Sequence, residues 1–270
     1  MPNGIEPRDP GDSLTGQLAL VCGASSGIGR ATALLFARRG ARLAVLARSA
    51  ERLAALAAEC SRNGAPSAVP VTVDLEDRAA TDRALDTLLE EHGPVRILIN
   101  NSGGPPAGPL LQATDEDFLK AFRRHVLAAH HLVKRLLPGM AAAGSGRIVN
   151  VISTSVREPI PGLGVSNTIR GAMAAWAKTL SRELPPGITI NNVLPGFTDT
   201  DRLSELKRNI ASREGLSEQA VEQRWLEAVP EGRLGTPDEL AAVLVFLASP
   251  EASFVRGQSL AVDGGRLHSI

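Results

Sequence analysis

The stretch that decides the fold is CGASSGIG at residues 22–29, in which three glycines fall within seven residues. It follows a short apolar run at residues 18–21 and precedes residues 30–39, whose apolar positions recur at helical spacing. A glycine-rich turn between a strand and a helix lets the backbone pass close to a pyrophosphate, which the free N–H groups at the helix start then bind. The turn therefore predicts a dinucleotide site formed by Gly23, Ser25, Ser26, Gly27, Ile28 and Gly29.

The rest of the chain alternates between apolar runs and helical stretches. Strands are predicted at residues 18–21, 43–46, 69–73, 97–99, 148–152, 188–193 and 258–262, and helices at residues 30–39, 50–60, 77–91, 114–138, 165–184 and 237–248. The strand runs are continuously apolar, as expected when helices cover both faces of a sheet. This alternation predicts an α/β fold: a single Rossmann-like domain with a doubly wound parallel sheet of about seven strands.

Length, composition and charge narrow the class of protein further. The chain has 270 residues, of which 43% are apolar, and its 29 basic and 29 acidic side chains give a formal net charge of zero. We expect a flexible N-terminal arm at residues 1–13 and one domain at residues 14–270. A neutral chain lacks the basic excess that drives nucleic-acid or anionic-membrane binding, and its apolar runs are too short to cross a bilayer. With only two cysteines and no targeting signal, the sequence predicts a cytoplasmic protein without a metal site that acts on a small molecule.

The residues that follow the second and third strands indicate which dinucleotide is bound. A carboxylate after the second strand would accept hydrogen bonds from the ribose hydroxyls of NAD, but Ala47 stands there and Arg48 follows. The Arg48 cation is suited to a 2′-phosphate, which predicts NADP(H). Asp74 follows the third strand, where an adenine amino group would meet it. The alternatives are a solvated surface residue for Arg48 and a loop or capping residue for Asp74.

Several further motifs resemble one family. They are VDLED at residues 73–77, NNSGG at 100–104, NVISTS at 150–155, NNVLPGFTDT at 191–200, GRLGTPDELA at 232–241 and VDGG at 262–265. With the glycine turn, they resemble the short-chain dehydrogenase/reductase family, in particular its 3-oxoacyl-carrier-protein reductases. The departures from the family pattern are mild here: Cys22 replaces a Thr, and NNSG replaces NNAG.

The resemblance implies further cofactor contacts and an assembly. The cofactor-binding positions that it adds are Asp74, Leu75, Asn100, Asn101, Gly103, Arg170, Pro195, Gly196, Thr198 and Thr200. It also implies a homo-oligomer, a tetramer or dimer, that forms through the two long helices at residues 114–138 and 165–184.

The catalytic positions depart from the family pattern. The family places a Tyr thirteen residues after a Ser and a Lys four residues later, and an Asn lies on an upstream helix. Counted on this chain, the four positions are Ser153, Ser166, Arg170 and, seven residues after Phe118, His125. The chain contains no tyrosine at all. Three of the four catalytic positions therefore differ.

Two arrangements of these residues can support chemistry without the Tyr. In the first, His125, whose reference pKa is about 6.5, relays a proton past Arg170 and Ser166. In the second, Ser153 and Ser166 hold a substrate oxygen while Arg170 supplies positive potential, as in an oxyanion site. Arg170 can clasp ribose hydroxyls but does not exchange protons, because the pKa of an arginine stays above about 12. The alternative for His125 is a packed or surface residue of a long helix.

Three functions remain open from the sequence. The first is an atypical NADP(H)-dependent oxidoreductase acting on a small carbonyl, imine or related substrate. The second is a non-redox enzyme for elimination, isomerisation or ring opening, and the third is a catalytically silent NADP-binding sensor or scaffold. The glycine turn and Arg48 favour the first and third, while Ser153 and the charge of Arg170 favour an active site. The polar helical stretch at residues 200–227 is predicted to be a substrate lid, with a surface insertion as the alternative.

Overall fold

One parallel sheet organises the protein, which a computed structural model describes over residues 14–269. Its strands are β1 (Leu18–Cys22), β2 (Arg42–Ala47), β3 (Ala68–Thr72), β4 (Ile97–Asn100), β5 (Gly146–Val151), β6 (Ile188–Pro195) and β7 (Ser259–Val262). They lie in the order β3-β2-β1-β4-β5-β6-β7, so the winding reverses between β1 and β4, where ligands bind in such sheets. The predicted single-domain, doubly wound α/β fold is confirmed. The predicted arm at residues 1–13 lies outside the described residues.

Helices cover both faces of the sheet. They are α1 (Gly27–Arg38), α2 (Ala50–Arg62), α3 (Arg78–His92), α4 (Asp115–Phe122), α5 (Ala128–Ala142), α6 (Gly164–Glu183), α7 (Asp201–Glu214), α8 (Glu218–Glu227) and α9 (Pro237–Ala248). Helices α1, α2 and α9 bury their apolar sides in one core, and α3, α5 and α6 bury theirs in a second core on the opposite face. Within residues 14–269, no helix combines the length and apolar character that a membrane span requires.

The single helix predicted at residues 114–138 is divided by a π-helical turn. It begins as predicted, because Thr114 caps the first turn and forms a capping box with Asp117. Helix α4 then passes into a π-helical turn at Arg123–Leu127, and α5 continues through Pro138 to Ala142. A π turn holds one residue more than an α turn and often marks a functional site. His125 lies inside this turn.

A buried row of polar side chains, three amides and a serine hydroxyl, ties β4, β5, β6 and β7 together. The Nδ2 group of Asn100 donates to Oδ1 of Asn150 at 2.8 Å, and Nδ2 of Asn150 donates to Oδ1 of Asn192 at 2.8 Å. Asn192 in turn donates to the Ser259 hydroxyl at 3.0 Å. These residues are direct cross-strand partners in β4 to β7, so the row pairs polar groups that would otherwise be buried without partners.

Helices α7 and α8 form a small unit above the carboxyl edge of the sheet. Val221 and Trp225 of α8 pack against Ala211 of α7, and Trp225 stacks on Phe197 with ring centroids 5.0 Å apart. Lys207 and Glu222 form an ion pair between the two helices. The unit therefore has its own apolar cluster, and its role as a movable lid stays a prediction.

Candidate active site

A cavity of about 550 Å³ lies at the carboxyl edge of the sheet. Its walls come from the segments that follow six of the strands, β1 to β6, and from α7. Every predicted cofactor-binding residue lines it except Gly29 and Asn100. Gly29 is packed so closely that a Cβ there would lie 2.3 Å from the carbonyl oxygen of Gly23, and the Asn100 amide belongs to the buried row. Most of the cofactor-binding residues predicted from the sequence therefore line one cavity, and Gly29 and Asn100 pack outside its lining.

The N-terminus of α1 opens into this cavity without a cap. Its N-cap, Ser26, makes no side-chain capping bond, and the first turn of α1 contains no acidic residue. In contrast, side chains cap α2, α3 and α7, at Ser49, Asp77 and Thr200. The first N–H groups of α1 are therefore left for an external acceptor, and the helix dipole favours an anion there. These features fit the pyrophosphate of a dinucleotide.

The opposite end of the cavity carries two arginines. The Arg48 side chain is 72% exposed and lies 3.9 Å from Oδ2 of Asp74. Arg52, in the first turn of α2, also lines the cavity. Asp74 serves its own loop as well, because its Oδ1 accepts a hydrogen bond from the Glu76 N–H at 3.0 Å. Sequence reasoning missed Arg52, although its place one helical turn after Arg48 was a usable signal.

Ser153 and Arg170 both line the cavity, at or near the end of β5. The Ser153 oxygen accepts a hydrogen bond from the Ser155 N–H at 3.0 Å, which leaves the Ser153 proton available to a group in the cavity. Arg170 is buried, and its Nη1 donates to the Val151 carbonyl at 3.0 Å. Burial and the nearby Arg202 lower the pKa of Arg170 to about 10, below the value expected from sequence, yet the guanidinium stays cationic at neutral pH.

Ser166 occupies a different place from its predicted partners. It lies one turn before Arg170 on α6, is half-buried, and is not among the described residues that line the cavity. A serine side chain is too short to span the gap that a tyrosine would fill from the same backbone position. The structure therefore brings Ser153 and Arg170 to the cavity wall, whereas Ser166 is not among the described residues that line it.

His125 approaches the cavity through Ser102 and the neighbouring backbone of Gly103. The ring is buried, and its Nδ1 lies 2.7 Å from the hydroxyl of Ser102, which lines the cavity. Within the described part of the chain, the buried Nε2 has no hydrogen-bond partner. Burial, followed by the charges of Arg170 and Arg124, lowers the pKa of His125 to about 2. The imidazole is therefore neutral at physiological pH, whereas the reference value used for the sequence suggested titration near neutrality.

The cavity is strongly cationic although the whole chain is neutral. Its lining contains two aspartates, Asp74 and Asp201, against five arginines, Arg48, Arg52, Arg124, Arg170 and Arg202. Glu76 pairs with Arg124 behind the wall. Positive potential focused in a cleft attracts anions. Among residues 14–269, no group of three potential metal ligands converges.

Comparison with known proteins identifies the family. The family model described as enoyl-(acyl carrier protein) reductase matches residues 23–266, nearly the whole chain. The chain belongs to the short-chain dehydrogenase/reductase family. The resemblance seen in the sequence is thereby confirmed.

Members of this family that are similar to the chain share its full length. The 3-oxoacyl-(acyl-carrier-protein) reductase FabG of Vibrio harveyi is 36% identical over 94% of this chain and 98% of its own length. The NADPH-dependent reductase BacG of Bacillus subtilis is 29% identical over 93% of this chain and 98% of its own length. The crystal structure of L-sorbose reductase from Gluconobacter frateurii, complexed with NADPH and L-sorbose, matches with a TM-score of 0.89 at 29% identity, covering 96% of this chain and 99% of that one.

Proposed function

We propose that this protein is an atypical NADPH-dependent reductase that acts on a small carbonyl or imine substrate. The observation that carries the proposal is one cavity that joins the uncapped start of α1, the Arg48–Arg52 pair and the Ser153–Arg170 pair. The NADPH-dependent relatives support the same cofactor for this chain. When bound, NADPH supplies a hydride.

Arg48 and Arg52 select NADPH over NADH in this proposal. A 2′-phosphate carries charge that two guanidinium groups can neutralise with charge-assisted hydrogen bonds. Ala47, in contrast, has no carboxylate to accept a hydrogen bond from the ribose hydroxyls of NADH. The N–H groups of α1 hold the pyrophosphate.

Ser153 and Arg170 stabilise the negative charge that develops on the substrate oxygen or nitrogen. Ser153 donates its hydroxyl proton in a hydrogen bond, because its own oxygen is held by the Ser155 N–H. Arg170, which is itself buried, adds a fixed positive charge. Without a tyrosine as general acid, this electrostatic stabilisation carries the main part of the acceleration.

Ser102 and His125 form the route by which a proton reaches the substrate. The neutral imidazole donates its Nδ1–H to the Ser102 oxygen in this proposal, so it orients the Ser102 hydroxyl without becoming charged. Ser102 lines the cavity, where its hydroxyl donates a proton to the developing alkoxide while a water molecule donates one to the Ser102 oxygen, and the hydroxide that this leaves is lost to solvent. A role for Ser166 requires a water molecule between its hydroxyl and the substrate. Replacing His125 by Asn or Ser102 by Ala is expected to lower kcat with a smaller change in KM for a carbonyl substrate, and unchanged turnover would remove this route.

The first experiment is a pair of binding titrations with NADPH and NADH, followed by NADPH oxidation with a panel of ketones and imines. We expect tight NADPH binding, weaker NADH binding and substrate-dependent oxidation. Binding without oxidation by any substrate would overturn the reductase and leave a silent NADPH-binding protein. Product formation without a change in NADPH would identify a non-redox enzyme. Failure to bind either nucleotide would overturn the cofactor assignment itself.

The reductase is also proposed to be a homo-oligomer, a tetramer or dimer. Leu119, Phe122 and Leu127 are exposed by 49%, 38% and 43% on the first of the two long helical segments expected at the interface. Burying such side chains against a second copy would remove apolar surface from water. Light scattering after size-exclusion chromatography measures the assembly, and a monomer at micromolar concentration would contradict it.

A further inference from the structure

Two guanidinium groups converge on one open point in the cavity. A Cβ built on Gly104 would lie 3.7 Å from Nη2 of Arg170, 3.7 Å from Nη2 of Arg202 and 3.8 Å from Nε of Arg202. The two Nη2 atoms are therefore no farther apart than twice 3.7 Å. Because Gly104 has no side chain, nothing from this residue fills the space between them. All three residues line the cavity.

The positive charge at this point exceeds the negative charge that faces it. Arg170 has no carboxylate partner in the described part of the chain, and its hydrogen bond goes to the neutral Val151 carbonyl. Arg202 donates from Nη1 to Glu205 at 3.0 Å and from Nη2 to the Pro105 carbonyl at 2.7 Å. Arg202 thus pairs with one carboxylate, that of Glu205, which lies outside the cavity lining. Asp201 lines the cavity but forms no ion pair with either arginine in the described part of the chain. A buried cation without a counter-charge favours an anionic ligand.

The point is separate from the 2′-phosphate site proposed at Arg48. Gly104 follows β4 and Arg170 bonds to Val151 at the end of β5, whereas Arg48 follows β2. In the order β2-β1-β4-β5, neighbouring strands lie about 4.8 Å apart, so the point is roughly 10 Å or more from Arg48 along the sheet. The 2′-phosphate therefore cannot reach it. The pyrophosphate site follows β1, beside β4, so the binding test is made with the dinucleotide already bound.

We propose that Arg170 and Arg202 bind the carboxylate of the substrate, which makes the substrate an oxo acid. This inference rests on the proposed reductase function. A carboxylate is planar and has two oxygens, so it can accept one hydrogen bond from each guanidinium at about 2.8 Å. Such a bridge spans the gap between the two arginines and places the neighbouring carbonyl group in the part of the cavity that Ser153 lines.

Matched probes test the charge directly. Acetoacetate and methyl acetoacetate share the same reducible ketone and differ in the carboxylate. We expect kcat/KM to favour acetoacetate by at least about tenfold, because the ester forfeits the charge-assisted bonds. In Arg202→Gln this preference is expected to fall at least about tenfold. Arg208→Gln removes an exposed charge from the same helix, outside the cavity lining, and is expected to keep the wild-type preference.

A third variant separates loss of recognition from structural damage. Glu205→Gln removes the carboxylate that competes for Arg202, so it is expected to lower KM for acetoacetate. A variant that merely disturbed α7 would not improve binding. An unchanged or raised KM in Glu205→Gln, or an unchanged substrate preference in Arg202→Gln, would overturn the carboxylate site.

Calorimetry keeps the test independent of turnover. 3-Hydroxybutyrate and its methyl ester are titrated into the protein with NADPH present, a combination that cannot transfer a hydride, and only the acid is expected to bind. If NADPH binds and neutral ketones react as well as oxo acids, the carboxylate site fails and the reductase stands. If the acid binds but no substrate is reduced, the reductase fails and the anion site stands. A stronger response to dihydroxyacetone phosphate than to acetoacetate would replace the carboxylate by a phosphate.

Discussion

Replacing His125 by Asn is expected to remove part of the protein's sensitivity to acid. The pKa of His125 is about 2 in the folded protein and about 6.5 in an unfolded chain. Between these pH values the unfolded chain binds a proton that the folded state excludes. The free energy of unfolding therefore falls as the pH drops below 6.5, and this contribution to stability is fully present above pH 6.5.

The expected magnitude follows from the size of the shift. One excluded proton changes the free energy of unfolding by up to about 1.4 kcal/mol per pH unit. Between pH 7 and pH 5, the wild-type protein is expected to lose about 2 kcal/mol through His125. Asn does not titrate, so the variant lacks this loss, and the altered contact with Ser102 adds an offset that does not depend on pH. Burial also lowers the pKa of His131, but that effect is common to both proteins and cancels in the difference.

Urea titrations followed by circular dichroism at pH 7, 6 and 5, at one protein concentration, measure the difference. The gap between the wild-type protein and His125→Asn is expected to change by about 2 kcal/mol over this range. His130→Asn, at an exposed histidine of α5, is the matched control and is expected to keep the wild-type dependence. If the free energy of unfolding changes with pH equally in the wild-type protein and in His125→Asn, the folded protein binds this proton, and the reasoning from burial is refuted.

Three further substitutions test other parts of the structure. Arg48→Ala is expected to weaken NADPH binding about tenfold and leave NADH binding unchanged, as measured by parallel titrations, because only NADPH carries the 2′-phosphate. Ser153→Ala is expected to lower kcat by about 10²-fold in steady-state assays, since it deletes a hydrogen-bond donor to the developing charge. Asn150→Leu leaves the buried amides of Asn100 and Asn192 without their hydrogen-bond partner on β5. Urea unfolding is expected to show that the free energy of unfolding falls by about 3 kcal/mol.

Most of the fold was predictable because its signals are local. The glycines at residues 23, 27 and 29 and the continuous apolar runs report on backbone conformation and two-sided burial, which neighbouring residues largely determine. The division of the helix at residues 114–138 was not predictable in this way. An α turn and a π turn differ by one residue, and apolar spacing over a single turn does not distinguish them.

The candidate site was predictable where residues stand directly after strands, and less so where side chains converge from distant segments. Arg48 and Ser153 follow strands whose carboxyl ends share an edge, so their place in the cavity follows from topology. Arg202 lies near Arg170 because α7 packs above the sheet. Ser102 contacts His125 because the π turn directs the imidazole toward it. The depressed pKa of His125 depends on burial and on charges that no local pattern reports.

Because of the π turn at Arg123–Leu127, the side chains of α4 and α5 cannot be plotted on a single helical wheel. The extra residue offsets α4 from α5 by about 100°, the rotation of one residue in an α-helix. Deleting any one residue there would let both helices run as one and would swing the side chain of Phe118 away from the apolar cluster that it packs against. The same deletion would turn His125 away from Ser102. The number of residues in this turn thus matters to the active site as much as their identity does.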